Sequence, residues 1–232
     1  MEPVVFGARR LQDLYNELMA RQFANDARKE FHVYLAVDKI AKEVVRGEDR
    51  IRLSYAQANE SKEALGCLPL IPGMPVMVTE NLSMQNKIVN SSQGVLSKVI
   101  YRTVPEGREA VCAYVKIANS LIAIEGLPRF IVPIFLKNVQ FSHRIAHGKT
   151  IRITRSQLPL VPAWAFTDYK VQGASMDSVI VDLASARGIQ NAYIMLSRAT
   201  SIHKLAVFCW FLSHRIFSHL QKDLCTELQC IK

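Results

Sequence analysis

No run in the 232 residues reaches the roughly 18 uninterrupted apolar positions that a bilayer-crossing helix requires. The amino terminus, Met1 to Phe6, lacks a basic region leading into a long apolar stretch, so no secretory signal is expected. Cysteine is sparse: Cys67, Cys112, Cys209, Cys225 and Cys230 are odd in number and scattered, which implies no disulfide framework and a reducing compartment. There is no Gly-x-Ser-x-Gly elbow for a serine nucleophile. Zinc sites usually pair their ligands two to four residues apart and add a tight second pair. His143 with His147, and His214 and His219 with Cys225 and Cys230, fit that spacing poorly, so no metal ligand is assigned. A phosphate loop needs a glycine five residues before Gly-Lys-Ser/Thr, so that backbone amides wrap the phosphates and the lysine reaches them. Gly148-Lys149-Thr150 supplies only the end of that pattern, because position 143 is His143, and Thr150 to Arg155 alternates as a strand. Val179-Ile-Val-Asp182 ends in Leu183 instead of the second acid of a magnesium-binding strand. Internal repeats and low-complexity segments are also missing.

What is present is an even mixture of apolar and polar sequence with a cationic bias. Half the residues are hydrophobic, enough for one core or one domain with a smaller insert. The formal charge of +9 attracts polyanions, either nucleic acid or an acidic membrane face. Val4 to Phe6 reads as a short strand. Leu11, Leu14, Tyr15, Leu18, Met19 and Phe23 then recur at helical spacing and predict an amphipathic helix. Phe31, Val33, Leu35 and Val37 alternate as a strand, and the charged stretch 39–62 reads as a solvated helix and loop. After Pro72-Gly73 come short β-like runs at 95–101, 111–117, 129–135, 139–145 and 149–154, separated by turn residues, which suggest a small barrel. A strand at 179–182, a helix at 189–199 and a strand at 205–209 close an α/β, β, α/β order.

Leu158-Pro-Leu-Val-Pro-Ala-Trp-Ala-Phe-Thr167-Asp-Tyr169-Lys170-Val-Gln172-Gly173-Ala-Ser175 runs into Val179-Ile-Val-Asp182, and Tyr193-Ile-Met-Leu-Ser197-Arg198-Ala199 follows. In order and separation these segments resemble motifs V and VI of superfamily-one DNA helicases, in the Pif-one and RecD-like branch and the form carried by Helitron transposons. Upstream, Asn16 in Leu-Tyr-Asn-Glu, Gly73-Met-Pro-Val-Met-Val-Thr-Glu-Asn81 and Asn90-Ser-Ser-Gln-Gly94 are similar to segments of the same family. The chain departs from the family pattern at Val171, where serine is common, at Tyr169, where many members have histidine, and at Ser91, where a turn glycine is usual.

The resemblance implies a RecA-like second motor domain with an inserted SH3-like β barrel. The expected boundaries are 1–93 and 156–212 for the motor domain, 94–155 for the barrel and 213–232 for a helical tail. It further implies the rear half of a 5′-to-3′ DNA-unwinding motor. Arg198 would be the arginine finger, a permanently charged fork on the γ-phosphate of ATP. Gln172 and Gly173 would lie beside that phosphate, the glycine letting backbone N–H groups approach. Thr167, Tyr169, Lys170 and Asn90 would face single-stranded DNA, with Arg152 and Arg155 of the basic cluster at the last barrel strand. Alternation places Arg152 opposite Ile151 and Ile153, hence outward. ATP and Mg2+ are expected in a complete helicase and no cofactor for this chain alone, because the phosphate-loop half of the site is missing. The expected partners are single-stranded DNA and the absent first motor domain, with no membrane. An intracellular, nuclear location and roles in DNA repair and recombination go with this reading. Two other readings stay open: a non-catalytic nucleic-acid-binding protein, and a protein-interaction module built on a motor remnant.

Overall fold

The computed structural model describes residues 2–55, 64–144 and 150–217. Elements in chain order are β1 (Val4–Phe6), α1 (Arg9–Asp26), β2 (Val33–Leu35), β3 (Val37–Ile40), β4 (Glu43–Val44), α2 (Gly47–Ser54), β5 (Cys67–Pro69) and β6 (Pro75–Val78). Then follow β7 (Gln93–Val104), β8 (Gly107–Lys116), β9 (Ile131–Phe135), β10 (Lys137–Arg144), β11 (Thr150–Gln157), β12 (Leu160–Pro162), β13 (Ala165–Thr167), β14 (Val179–Asp182), α3 (Ile189–Leu196) and β15 (Leu205–Val207). By contact the chain forms two compact units, one from 1–16 with 164–232 and the other from 17–163.

The first unit is built on a four-stranded sheet in the order β13-β1-β14-β15, in which every pairing is parallel. Parallel neighbours require long crossovers and are covered on their faces, so their strands read as continuous apolar runs. Val4, Val5, Phe6, Ala165 and Phe166 are buried accordingly. Phe6, Tyr15 and Phe208 make a trio of rings with centroids 5.4–6.0 Å apart. Gly7 follows β1 because the chain passes against Ser185 there. A Cβ on Gly7 would stand 2.3 Å from the Ser185 carbonyl oxygen, while the Gly7 N–H donates to Ser185 Oγ at 2.8 Å.

Helix α1 forms where its periodicity predicts, but its buried face is rotated. Leu11, Leu14 and Leu18 are exposed, while Gln12, Asn16, Ala20 and Ala24, at intervals of four, face inward. Small side chains let the helix backbone approach closely. Asn16 adds hydrogen bonds that no leucine can make, its Oδ1 accepting from Trp164 N–H and Ala165 N–H at 3.2 and 2.9 Å and its Nδ2 donating to the Ala165 carbonyl at 3.1 Å.

The second unit contains a seven-stranded sheet, β12-β6-β7-β8-β2-β5 with β9 also on β8, and a four-stranded sheet β10-β11-β3-β4. Within the described residues each expected β run falls on a strand, but the strands between 33 and 78 join them: β3 pairs with β11, β6 with β7, and β2 with β5 and β8. Contact divides the chain at 16/17 and 163/164. The expected strand 31–37 breaks at Ala36 into β2 and β3, which enter different sheets. Two buried ion pairs hold this unit. Arg155 forks onto Asp38 at 2.8 and 2.7 Å, and Arg50 pairs with Glu109 at 2.7 Å and donates to the Ala36 carbonyl at 3.0 Å.

Of the expected tail helix, Ser213–Arg215 is a short 3-10 turn and 218–232 lies outside the described residues. His147 and Lys149 also lie outside them. Among the described residues no helix is long and apolar enough to cross a membrane.

Candidate functional site

The site sits at the carboxyl end of β13, where Thr167 passes into a 3-10 turn at Asp168–Val171 and then an open loop. Asp168, buried, accepts from the Asn191 side-chain amide, which ties the turn to α3. Tyr169 emerges from that turn 52% exposed, with Lys170 half-buried beside it and its Nζ beneath the surface, so that meeting a DNA strand would require the Lys170 side chain to turn outward. Val171 turns inward to the core. Gln172, Gly173, Ala174 and Ser175 are all exposed. Gly173 adopts φ +81°, in the left-handed region that glycine enters without strain, and no atom lies within 4 Å of where a Cβ would sit. The backbone at this loop is thus bare on that side.

Arg198 follows α3 and reaches back over the same loop. Its Nη1 donates to the carbonyls of Val171 at 3.1 Å and Ala174 at 2.9 Å, its Nε to the Ile194 carbonyl at 2.8 Å, and its Nη2 to Ser197 Oγ at 2.8 Å. The backbone completes the link: Met176 N–H donates to the Arg198 carbonyl at 2.8 Å, and Thr200 N–H to the Met176 carbonyl at 3.1 Å. Arg198 and the loop carrying Gln172 and Gly173, from two motifs separated in sequence, are therefore brought together. The guanidinium is half-buried and in this conformation bonded to its own unit, so engaging a phosphate means exchanging carbonyl partners for phosphate oxygens.

For a triphosphate, the bare backbone at Gly173 and the neighbouring guanidinium are a fitting donor set, since both offer N–H groups and neither brings a carboxylate. Among the described residues no cluster of three or more His, Cys, Asp or Glu side chains is placed to hold a metal ion. Asp182, at the end of β14, is buried with Cys209 Sγ 3.5 Å from its Oδ1. The Cys209 thiol is pushed up by burial and then by the Asp182 carboxylate, which keeps it protonated.

The expected DNA-facing residues are divided between the two units, Thr167, Tyr169 and Lys170 in the first and Asn90, Arg152 and Arg155 in the second. Thr167 is 2% exposed, and its Oγ1 has no hydrogen-bond partner among the described residues, so it lies beneath the surface that Tyr169 occupies and is not a surface phosphate contact. Asn90 is exposed in a turn of the second unit, its N–H donating to Asn81 Oδ1 at 2.8 Å. Arg152 projects outward from β11 as alternation predicts. Arg155 is the plain correction: it is 0% exposed, and its donors go to Asp38 and to the carbonyls of Leu53 at 2.8 Å and Ala64 at 3.1 Å. It holds the unit together with four of its five N–H donors engaged, and at 0% exposure it presents nothing to DNA. Sequence reasoning also missed the Asp168–Asn191 tie and gave no role to Asn16. A polar residue four and eight positions before two alanines on one helix was the available signal for Asn16; for Asn191 there was none.

No protein-family model matches the chain. It is 31% identical to the ATP-dependent DNA helicase PIF1 of Danio rerio over 143 residues, covering 60% of this chain and 19% of that protein. The same protein of Mus musculus is 32% identical over 144 residues, again 60% of this chain and 19% of the relative. The chain thus spans about a fifth of the length of the curated relatives it matches. Among solved structures, Pif1 helicase from Candida albicans superposes on the whole chain with a TM-score of 0.62 at 20% identity, the match covering 50% of that structure. Pif1 helicase from Bacteroides in complex with ADP-AlF3 and single-stranded DNA superposes on 99% of the chain at TM-score 0.61 and 15% identity, covering 45% of that structure. At these identities the structural likeness establishes the fold alone, and the mixed α/β sheets fit a RecA-like fold.

Proposed function

We propose that this chain acts as the second motor domain of a Pif1-like ATP-dependent DNA helicase, contributing DNA contacts and an arginine finger to an ATP site completed elsewhere. The observation that carries the reading is the convergence of Gln172, Gly173 and Arg198 on one exposed loop beside the half-exposed Tyr169. ATP, with its Mg2+, would supply the phosphoryl group whose developing charge a guanidinium stabilises. Arg198 and the backbone at Gly173 would bind the γ-phosphate side, with Gln172 orienting toward it. Tyr169 and Lys170 would meet a single DNA strand by stacking and charge. The nearly closed β sheet of the second unit is read as the SH3-like barrel of such motors, enlarged by the strands between 33 and 78. A Helitron-type origin, 5′-to-3′ polarity and first-domain help in trans belong to the same proposal, and the motif segments 158–199 support it.

The test is ATP hydrolysis by the purified chain, with and without oligothymidylate, together with oligonucleotide binding. No turnover with measurable, salt-sensitive binding is the expected result. Turnover abolished by Arg198→Ala would show a phosphate-binding element within the chain and overturn the half-site assignment. Absence of oligonucleotide binding at low salt would remove the DNA-contact assignment.

A further inference from the structure

Helix α3 grips the loop after β13 along one of its own sides. Asn191 stands in its first turn, and Arg198 follows seven residues later, just past its end. A spacing of seven returns to the same side of a helix after two turns, about 10 Å along the axis. From that side both residues reach one short stretch of chain. The Asn191 side-chain amide donates to Asp168 Oδ2, where the 3-10 turn begins. Arg198 donates to the carbonyls of Val171 at 3.1 Å, where the turn ends, and of Ala174 at 2.9 Å beyond it. Tyr169 and Lys170 lie between the two grips.

The two grips differ in what they can give up. Arg198 is half-buried, and its proposed duty at a phosphate takes it off both carbonyls. Asp168 is 6% exposed, and a carboxylate that deep is costly to leave without a donor. Helix α3 has a matching need. It opens on Gly188, which has no side chain to cap it, and its first turn contains no acidic residue. The carboxylate of Asp168 brings to that turn, from another element, the negative charge that a helix amino terminus favours. Each side of the Asn191–Asp168 contact therefore needs the other, and nothing in the nucleotide chemistry calls for it to open.

We propose that Asn191 and Asp168 are a positioning pair: they hold the 3-10 turn so that Tyr169 stays presented to a single strand when Arg198 exchanges its carbonyls for phosphate oxygens. Neither residue touches strand or nucleotide; both act through the turn between them. The proposal rests on the DNA-contact reading of Tyr169 and names what keeps that contact in place.

The experiment removes both partners together, because Asn191→Ala alone strands a buried carboxylate and risks unfolding the chain. Asp168→Ala/Asn191→Ala is compared with the reciprocal Asp168→Asn/Asn191→Asp, with Tyr169→Ala, with all three alanines combined, and with Arg198→Ala. The full chain is used throughout, in anisotropy titrations with oligothymidylate, thermal unfolding, and amide exchange without ligand. The pair deletion is expected to bind roughly tenfold more weakly, about the loss of one stacked base, and to speed exchange at 168–170. Adding Tyr169→Ala should cause no further loss, because the pair acts through that ring. The reciprocal variant should recover affinity, with the amide at 168 now donating to the carboxylate at 191. In Arg198→Ala, amides 168–170 should stay protected. Full affinity in the pair deletion, with Tyr169→Ala still weakened, would overturn the positioning role and leave the DNA reading standing. So would additive losses, a loss that follows the thermal midpoint without reciprocal rescue, or exchange at 168–170 as fast in Arg198→Ala as in the pair deletion. An unaltered chain that binds no oligothymidylate, or binds it no better than Tyr169→Ala, would overturn the DNA reading and the positioning role with it.

Discussion

Arg155 shows how far a single side chain can be misread from its type and read correctly from its position. Alternation that sends Arg152 outward places Arg155, two residues beyond Ile153, on the inward face with the isoleucines. The chain then surrounds the guanidinium with the Asp38 carboxylate and two backbone carbonyls, and Phe141 packs on it at 5.1 Å. Removing one partner of such a pair strands the other charge, which costs about 3–5 kcal/mol. Arg155→Ala is therefore expected to lower the denaturant midpoint steeply, and Arg155→Lys to recover little, because an ammonium cannot fork onto a carboxylate. Arg152→Ala should leave the midpoint within about 0.5 kcal/mol. Equal stability of Arg155→Ala and the unaltered chain would refute the buried-pair account. Glu106 gives the pH counterpart. Its carboxyl is held below the ordinary value of 4.5, first by the N–H of Gly47 and with help from Arg50. A depressed folded value favours the folded state above the unfolded value and loses that contribution as pH falls through the folded one. Stability should thus decline on acidification below about pH 4.5, and Glu106→Gln should flatten that decline in denaturant titrations at stepped pH.

At the scale of elements, periodicity was informative where burial decides the conformation and silent where one polar group does. The parallel strands β1 and β14 are short apolar runs and were legible as such; so were the long hairpin strands β7 and β8 and helix α3. Helix α1 was legible as a helix but not as to its buried side, because leucines at i, i+3 and i+7 make a plausible stripe while the packing selected alanines and a hydrogen-bonding asparagine. The joining of β3 to β11 was hidden by a sequence separation of more than 100 residues, which no local pattern spans. The turn at Ser91 was marked in advance, since the family resemblance led to the expectation of a glycine there. Ser91 adopts φ +69° while its N–H donates to the Val78 carbonyl at 2.8 Å, so the turn keeps its glycine geometry around a side chain that is strained there. A left-handed conformation costs a non-glycine residue roughly 1–2 kcal/mol, and the added freedom of an unfolded glycine returns about 0.5–1 kcal/mol of that. Ser91→Gly should accordingly raise stability by up to about 1 kcal/mol. A lower melting temperature for this variant would mean the serine hydroxyl makes a compensating contact.

For the molecule as a whole, the sequence carried a proposal for the site's chemistry and nothing of its present arrangement. The family resemblance placed Gln172, Gly173 and Arg198 in one expected functional group. It said nothing of the guanidinium lying on the Val171 and Ala174 carbonyls, which depends on how α3 ends. That arrangement gives Arg198 two separable duties. One is internal, fixing the loop between the turn after β13 and strand β14. The other is the proposed one at the phosphate. Arg198→Ala removes both, whereas Arg198→Lys keeps a charge but cannot bridge two carbonyls with a rigid fork. If the internal duty is real, amides of 171–176 should exchange faster with solvent in both variants than in the unaltered chain, with no nucleotide present and with β1 and β14 still protected. If the loop also carries DNA contacts through Tyr169 and Lys170, the same variants should bind oligothymidylate more weakly at every salt concentration. Their salt slope should nevertheless be unchanged, because neither removes a phosphate contact. Lys170→Ala should instead reduce the slope by about 0.7, the contribution of one neutralised phosphate on a single strand. A slope that falls in Arg198→Ala as it does in Lys170→Ala would place the arginine on the nucleic acid and not on the nucleotide.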